Sequence, residues 1–324
     1  MSYTGPGFDP PRPRRSRRGP LTVALAALVP GALLGWAVYA AVDGPGDGGG
    51  PAKASASVSA SSGAPSPATA SPSGDSGDRK PGASPTATAA SPSASAPAAS
   101  GPLGGKVVVI DPGHNPGNFE HTAEINRQVD IGTNRKACDT TGTATDDGYA
   151  EAEFTLDVAH RMRALLEEQG ATVKLTQDAD RPFGPCVDER ARIGNEARAD
   201  AVVSLHADGS GAGNRGFHVI LPGTVDAGAA DTRAIVGPSR DLGERIAGNF
   251  VRVTGSAPSN YVGGGTGLVT RKDLGGLNLS TVPKVFIECG NMRDSKDAAL
   301  LTSGAWRQKA AQGISDGIVS FLRG

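Results

Sequence analysis

The polar and apolar positions fall into two regimes that change near residue 106. Beyond it, short apolar runs alternate with stretches of helical period. Lys106-Val107-Val108-Val109-Ile110-Asp111 is a β-branched run closed by Pro112-Gly113, which predicts a buried strand entering a loop. Residues 151–169 predict a helix with Phe154, Val158, Met162, Leu165 and Leu166 on one face and Gly170 as its stop. Strands are expected at 171–175, 201–206, 216–221 and 285–288, and helices at 187–198 and 240–252. Trp306, Ala310, Ile314, Ile318 and Phe321 share the apolar face of a closing helix. Strands alternating with helices predict an α/β fold, a three-layer sandwich with a mostly parallel central sheet and helices on both faces. In such sheets chemistry gathers at the carboxyl ends of strands.

The first third follows other rules. Arg12, Arg14, Arg15, Arg17 and Arg18 form a basic stretch within residues 1–20, and residues 21–42 contain no charged side chain. A bilayer is crossed by a helix of about 20 residues, and a basic flank stays in the cytoplasm. Residues 21–42 are therefore expected to be a membrane anchor or an export signal; Val38-Tyr39-Ala40 offers a cleavage site and Arg17-Arg18 a twin-arginine signal. Residues 43–105 are Pro, Ala, Ser, Gly and Thr with scattered charge and no periodicity, the composition of a disordered, extended tether. Residues 106–324 are left as one catalytic domain. The protein is thus expected outside the cytoplasm, anchored or secreted. A net charge of -1 and 4% aromatics provide neither the basic patch nor the stacking surface of a nucleic-acid binder.

Within the domain, His114 follows the first strand in the turn Asp111-Pro112-Gly113-His114-Asn115-Pro116-Gly117, whose glycines would let it bend sharply. Glu151 opens a helix, with Glu153 its nearest competitor, and His206 ends a strand. Two histidines, one carboxylate and an open fourth position form a known catalytic zinc set. No His-Glu-x-x-His motif is present, so these candidates are scattered through the chain. Glu288 follows three apolar residues in an expected core strand; a buried carboxylate there is paired with a cation or serves chemistry. His121, His160 and His218 fall outside the pattern and are read as structural, with His121 in the long loop near the site. Of three cysteines, Cys138 and Cys186 lie in expected loops and are predicted to pair; Cys289 reads as a small buried core residue.

Ile110-Asp111-Pro112-Gly113-His114, Glu151 ahead of Leu156-Asp157-Val158-Ala159, Ser204-Leu205-His206-Ala207-Asp208 and Val285-Phe286-Ile287-Glu288-Cys289-Gly290 occur in one order. In this the domain resembles the zinc-dependent N-acetylmuramoyl-L-alanine amidases. The resemblance implies one Zn²⁺ held by His114, Glu151 and His206, and Glu288 as the catalytic residue. It further implies peptidoglycan as substrate, the amide between muramic acid and L-alanine as the bond cleaved, and a role in cell-wall remodelling. A divisome or regulatory protein partner is left unspecified. Arg271 falls where such enzymes often carry an arginine near the substrate. Asn115-Pro116 departs from the family's usual Gly-Gly, and the stretch between His114 and Glu151 is long and polar. A peptidase of the stem peptide, and a non-catalytic wall-binding module of the same fold, are the competing readings.

Overall fold

A computed structural model describes residues 101–324; residues 1–100, including the basic start, the 21–42 segment and nearly all of the expected tether, lie outside it. Packing begins before residue 106: Leu103 is wholly buried and its amide donates to the Gln169 carbonyl at 2.9 Å, because an apolar side chain there closes the bottom of the core.

The elements follow in order as β1 (Val107–Pro112), α1 (Thr122–Ile125), β2 (Gln128–Asp130), β3 (Arg135–Ala137), α2 (Glu151–Glu168) and β4 (Thr172–Leu175). Next come α3 (Val187–Glu196), β5 (Ala201–Asp208), β6 (His218–Pro222), β7 (Asp226–Ala227), β8 (Ala230–Asp231) and α4 (Val236–Thr254). The chain ends with β9 (Leu268–Arg271), α5 (Gly275–Asn278), β10 (Lys284–Asn291), α6 (Ser295–Leu301) and α7 (Gly304–Arg323). Six strands form the main sheet in the order β4-β1-β5-β10-β6-β9. The first four are mutually parallel; β6 runs antiparallel to β10, and β9 is parallel to β6. The expected α/β architecture with a mostly parallel sheet is the one observed, with two reversed strands at one edge.

Successive side chains of a strand point to opposite faces, and this alternation separates scaffold from chemistry. Val108 and Ile110, Val203 and Leu205, and Val285 and Ile287 bury one face against α2, α4 and α7 in the principal core. In α7, a Cβ at Gly317 would meet the Ile246 Cα at 2.5 Å and one at Gly313 the Phe250 Cα at 3.0 Å, so the two long helices pack backbone to backbone. On the opposite face the same strands present Val109, Asp111, Ser204, His206, Lys284, Phe286 and Glu288. Helix α3 covers only the lower part of that face through Val109, Val202 and Ile193. The upper part, at the carboxyl ends of β1, β5 and β10, is left for the polar residues.

The long stretch between His114 and Glu151 is not a bare loop. It holds α1 and the β2–β3 hairpin, and a Cys138–Cys186 disulfide closes a separation of 48 residues. The two cysteines are buried with Val129 and Ile131 in a small satellite core. Cys289 is buried and unpaired. Among the described residues no helix is long and apolar enough to cross a membrane.

Candidate metal and acid–base centre

His114 stands directly after β1 with φ of +63°, a conformation rare for a residue with a side chain. The turn is held by Thr155 Oγ1, which donates to the Gly113 carbonyl at 2.8 Å, and by Gln177 Nε2, which donates to the His114 carbonyl at 3.0 Å. Gly113 serves close approach rather than a sharp bend: a Cβ there would meet the His206 ring at 2.4 Å. Asn115 is buried and donates to the Gly184 carbonyl at 3.0 Å while accepting from the Gly117 amide at 2.8 Å. Asn115 thus makes its own turn.

Glu151 begins α2 and is 4% exposed, whereas Glu153 faces solvent, which decides between them. Glu151 Oε2 accepts from the Thr143 amide at 3.0 Å, and Oε1 accepts from the Ala207 amide at 3.2 Å. His206 projects from β5 and stacks on Phe286 at 5.1 Å with an interplanar angle of 2°. His114 Nε2 lies 3.3 Å and His206 Nδ1 2.9 Å from Glu151 Oε1. One ligand atom from each of the three residues lies within 4.8 Å of the others, a set that could hold a metal ion.

The outward nitrogens are occupied. His114 Nδ1 pairs with Asp139 Oδ1 at 3.2 Å and the Thr140 carbonyl at 3.0 Å, and His206 Nε2 with Ser204 Oγ at 3.3 Å. Histidine ligands of metals characteristically donate their second N–H to a carboxylate, carbonyl or similar partner, which fixes the tautomer and leaves the inward nitrogen free. The partners are themselves held. Arg190 Nη2 donates to Asp139 Oδ2 at 3.0 Å and Arg190 Nη1 to Asp111 Oδ1 at 2.8 Å. Asp111 also accepts from Lys284 Nζ at 3.0 Å, Thr176 Oγ1 at 2.7 Å and Ser204 Oγ at 2.8 Å. Burial works against ionisation of Asp111, but Lys284 and Arg190 hold its carboxyl far below the usual range. Asp139 settles at about 2 in the same way, with burial opposed chiefly by Arg190. In the metal-free protein burial lowers the His114 pKa, and the carboxylates of Glu151 and Asp139 outweigh it to raise His114 to about 10.

Glu288 lies beside His206 in the β10–β5 register. Its residue surface is half-buried, yet Oε2 is out of contact with solvent and has no hydrogen-bond partner. Burial, then the carboxylates of Glu151 and Asp208, push its pKa well up, so it retains a proton more readily than an ordinary carboxyl. His114, Glu151, His206, Asp208, Arg271 and Glu288 line one cleft of about 290 Å³. A neighbouring hollow of about 240 Å³ shares the two histidines and reaches Lys136 and Asp273. Arg271 is fixed by Asp273, with contacts of 2.9 and 2.7 Å.

The four residues selected from the sequence therefore come together. His121 instead packs on Phe183, and His160 bonds Asp178 on the surface. Asp111, Asp139, Arg190, Ser204 and Lys284 were not selected. A charge inside an apolar strand marks Asp111 and Lys284 as clearly as it marks Glu288; nothing local marks Asp139 or Arg190.

Paired imidazoles and a carboxylate beside a proton-retaining carboxyl, at the open end of an α/β sheet, are the equipment of a hydrolase. The sequence profile of the N-acetylmuramoyl-L-alanine amidases matches residues 108–320. N-acetylmuramoyl-L-alanine amidase Rv3717 of Mycobacterium tuberculosis is 42% identical over 222 residues, covering 68% of this chain and 88% of that protein. The crystal structure of the amidase Ami1 from Mycobacterium smegmatis superposes with a TM-score of 0.62 at 42% identity, over 68% of this chain and 98% of that one. The apo form of Ami1 from Mycobacterium abscessus gives 0.61 at 41% identity, over 67% and 99%. The chain belongs to the N-acetylmuramoyl-L-alanine amidase family, enzymes that hydrolyse a linear amide bond.

Proposed function

We propose that this protein hydrolyses the amide between N-acetylmuramic acid and L-alanine in peptidoglycan, using one zinc ion held by His114, Glu151 and His206 and the carboxyl of Glu288. The observation that carries the reading is the convergence of His114 Nε2, His206 Nδ1 and Glu151 Oε1, with both outward imidazole nitrogens already bonded. This donor set fits zinc: two imidazoles and a carboxylate suit a borderline ion better than an all-oxygen site would. When bound, zinc would supply Lewis acidity, lowering the pKa of water and polarising a carbonyl.

The chain's own residues supply the rest. Glu288 takes a proton from the attacking water and delivers it to the alanine nitrogen as the C–N bond breaks, leaving a carboxylate on the muramic acid and a free amine on the peptide. Asp139 and Ser204 keep the imidazoles turned inward, and Phe286 shields one face of His206 from water. Arg271, on the cleft wall, suits the carboxylates of a stem peptide. Family membership and the basic flank before residues 21–42 together support action outside the cytoplasm, in cell-wall remodelling, with that segment as anchor or signal and residues 43–105 as tether.

The test is product analysis on purified peptidoglycan. The zinc-loaded protein should release intact stem peptides with a new amino-terminal L-alanine; Glu288→Gln should bind zinc yet release none. Fragments cut within the stem peptide would instead identify a peptidase, and turnover undiminished after chelation would remove zinc from the reading.

A further inference from the structure

Glu288 of β10 and His218 of β6 are direct partners in the antiparallel register, so both side chains stand on the site face of the sheet. Directly opposed residues have Cβ atoms roughly 4.5–5.5 Å apart. His218 is 5% exposed, and its Nδ1 is out of solvent with no hydrogen-bond partner. Glu288 Oε2 is in the same condition. Buried polar atoms left unpaired forfeit the hydrogen bonds they had in water. Two such atoms on opposed residues, one belonging to the acid–base carboxyl, are hard to explain by packing alone. Ile220, next on that face of β6, shows that an apolar side chain is accommodated there.

We propose that His218 is a positioning residue for Glu288: its Nδ1 and Glu288 Oε2 share a hydrogen bond, direct or through one water, once substrate fills the cleft. That bond fixes the carboxyl so that its other oxygen faces the scissile amide. Burial lowers the His218 pKa and so favours its neutral form; Asp208 acts against it and Arg271 with it. A neutral imidazole has one donor and one acceptor nitrogen and can follow Glu288 through either protonation state. Tyr261 stands edge-on to the His218 ring at 5.9 Å and donates its hydroxyl to Asp208 Oδ2 at 2.7 Å. The charged and titratable groups around it are thus Glu288, Asp208, Tyr261 and Arg271.

The proposal rests on the acid–base reading of Glu288, so Glu288→Gln is measured beside His218→Phe and His218→Gln in the zinc-loaded enzyme on soluble muropeptides. In His218→Phe, kcat should fall roughly 10- to 100-fold, the worth of one hydrogen bond to an ionisable group. KM, bound zinc and Tm should stay at wild-type values, and His218→Gln, whose amide still bonds, should recover part of the loss. Wild-type kcat in His218→Phe while Glu288→Gln is inactive overturns the proposal but leaves the role of Glu288 intact. Loss of zinc or of Tm in both His218 variants, or no recovery with Gln, overturns it in favour of a structural histidine. An active Glu288→Gln overturns the acid–base reading itself.

Discussion

Replacing Arg190 with Met tests whether the charges beneath the site hold its histidines. Arg190 is buried and makes four contacts: Asp111 at 2.8 Å, Asp139 at 3.0 Å, and the carbonyls of Pro112 at 2.6 Å and Pro185 at 2.9 Å. Methionine fills most of the volume and makes none of them. Asp111 keeps Lys284, Thr176 and Ser204, but Asp139 Oδ2 loses the one bond it has, leaving the His114 ring as the charged partner of that buried carboxylate. Breaking a buried pair costs about 3–5 kcal/mol; because Lys284 still compensates Asp111, the expected loss is near the lower end, roughly 3 kcal/mol. Asp139 then orients His114 less firmly, and loss of such outer partners weakens metal binding about 10- to 100-fold. Urea unfolding of the chelated protein reads the first effect, and competition with a chromophoric chelator reads the second. Acid sensitivity gives an independent check. Asp111 and Asp139 have folded pKa values held below the ordinary 3.8, so their stabilisation is present above that value and is lost as pH falls towards and below about 2. Without Arg190 both values rise, and acid unfolding moves to higher pH. A Met variant with wild-type zinc affinity and a stability change under about 0.5 kcal/mol, the level of an ordinary surface substitution, refutes the argument.

Gly113→Ala would press a methyl into the His206 ring and the Leu205 carbonyl, both 2.4 Å from where its Cβ would stand, so zinc retention and turnover should fall together while the core face of the sheet is untouched. Normal zinc stoichiometry and kcat in that variant would show that the turn gives way freely. Metal removal should carry a proton signature. The raised His114 value of about 10 means that the metal-free protein holds a proton on this ring at pH 7.5, and zinc must displace it, so calorimetry in buffers of different ionisation enthalpy should register about one proton released per zinc. Because this folded value exceeds the ordinary 6.5, its stabilisation of the metal-free protein is whole below about 6.5 and is lost as pH rises through about 10. Chelated protein whose stability is flat across that window, with no proton released on reloading, would contradict the Glu151–His114 contact.

What could be read from the chain, and what could not, follows from the two-residue period of its strands. In Val107 to Pro112 and in Lys284 to Glu288 the apolar residues advertise a core strand, and each charge inside the run is conspicuous because burial without a partner is costly. Glu288 stood out on that ground as either cation-paired or functional, and Lys284 and Asp111 carry the same mark. They are partners to each other, at 3.0 Å, which separates a satisfied buried charge from an unsatisfied one only once the strands are aligned. His114 and His206 were legible as strand ends, but that their free nitrogens meet on Glu151 depends on β1 lying beside β5 and on α2 returning over both. Asp139 and Arg190 have no local signature, since one follows a hairpin and the other sits in a polar helix. The disulfide joins these two segments next to the very residues that clasp, Cys138 preceding Asp139 and Cys186 capping the helix of Arg190. His218 looked like an ordinary strand residue because alternation says which face a side chain takes and not what stands opposite. The antiparallel return of β6 against β10 sets it across from Glu288, a reversal for which the alternating strand–helix pattern gave no sign, as it gave none for β9 beyond it.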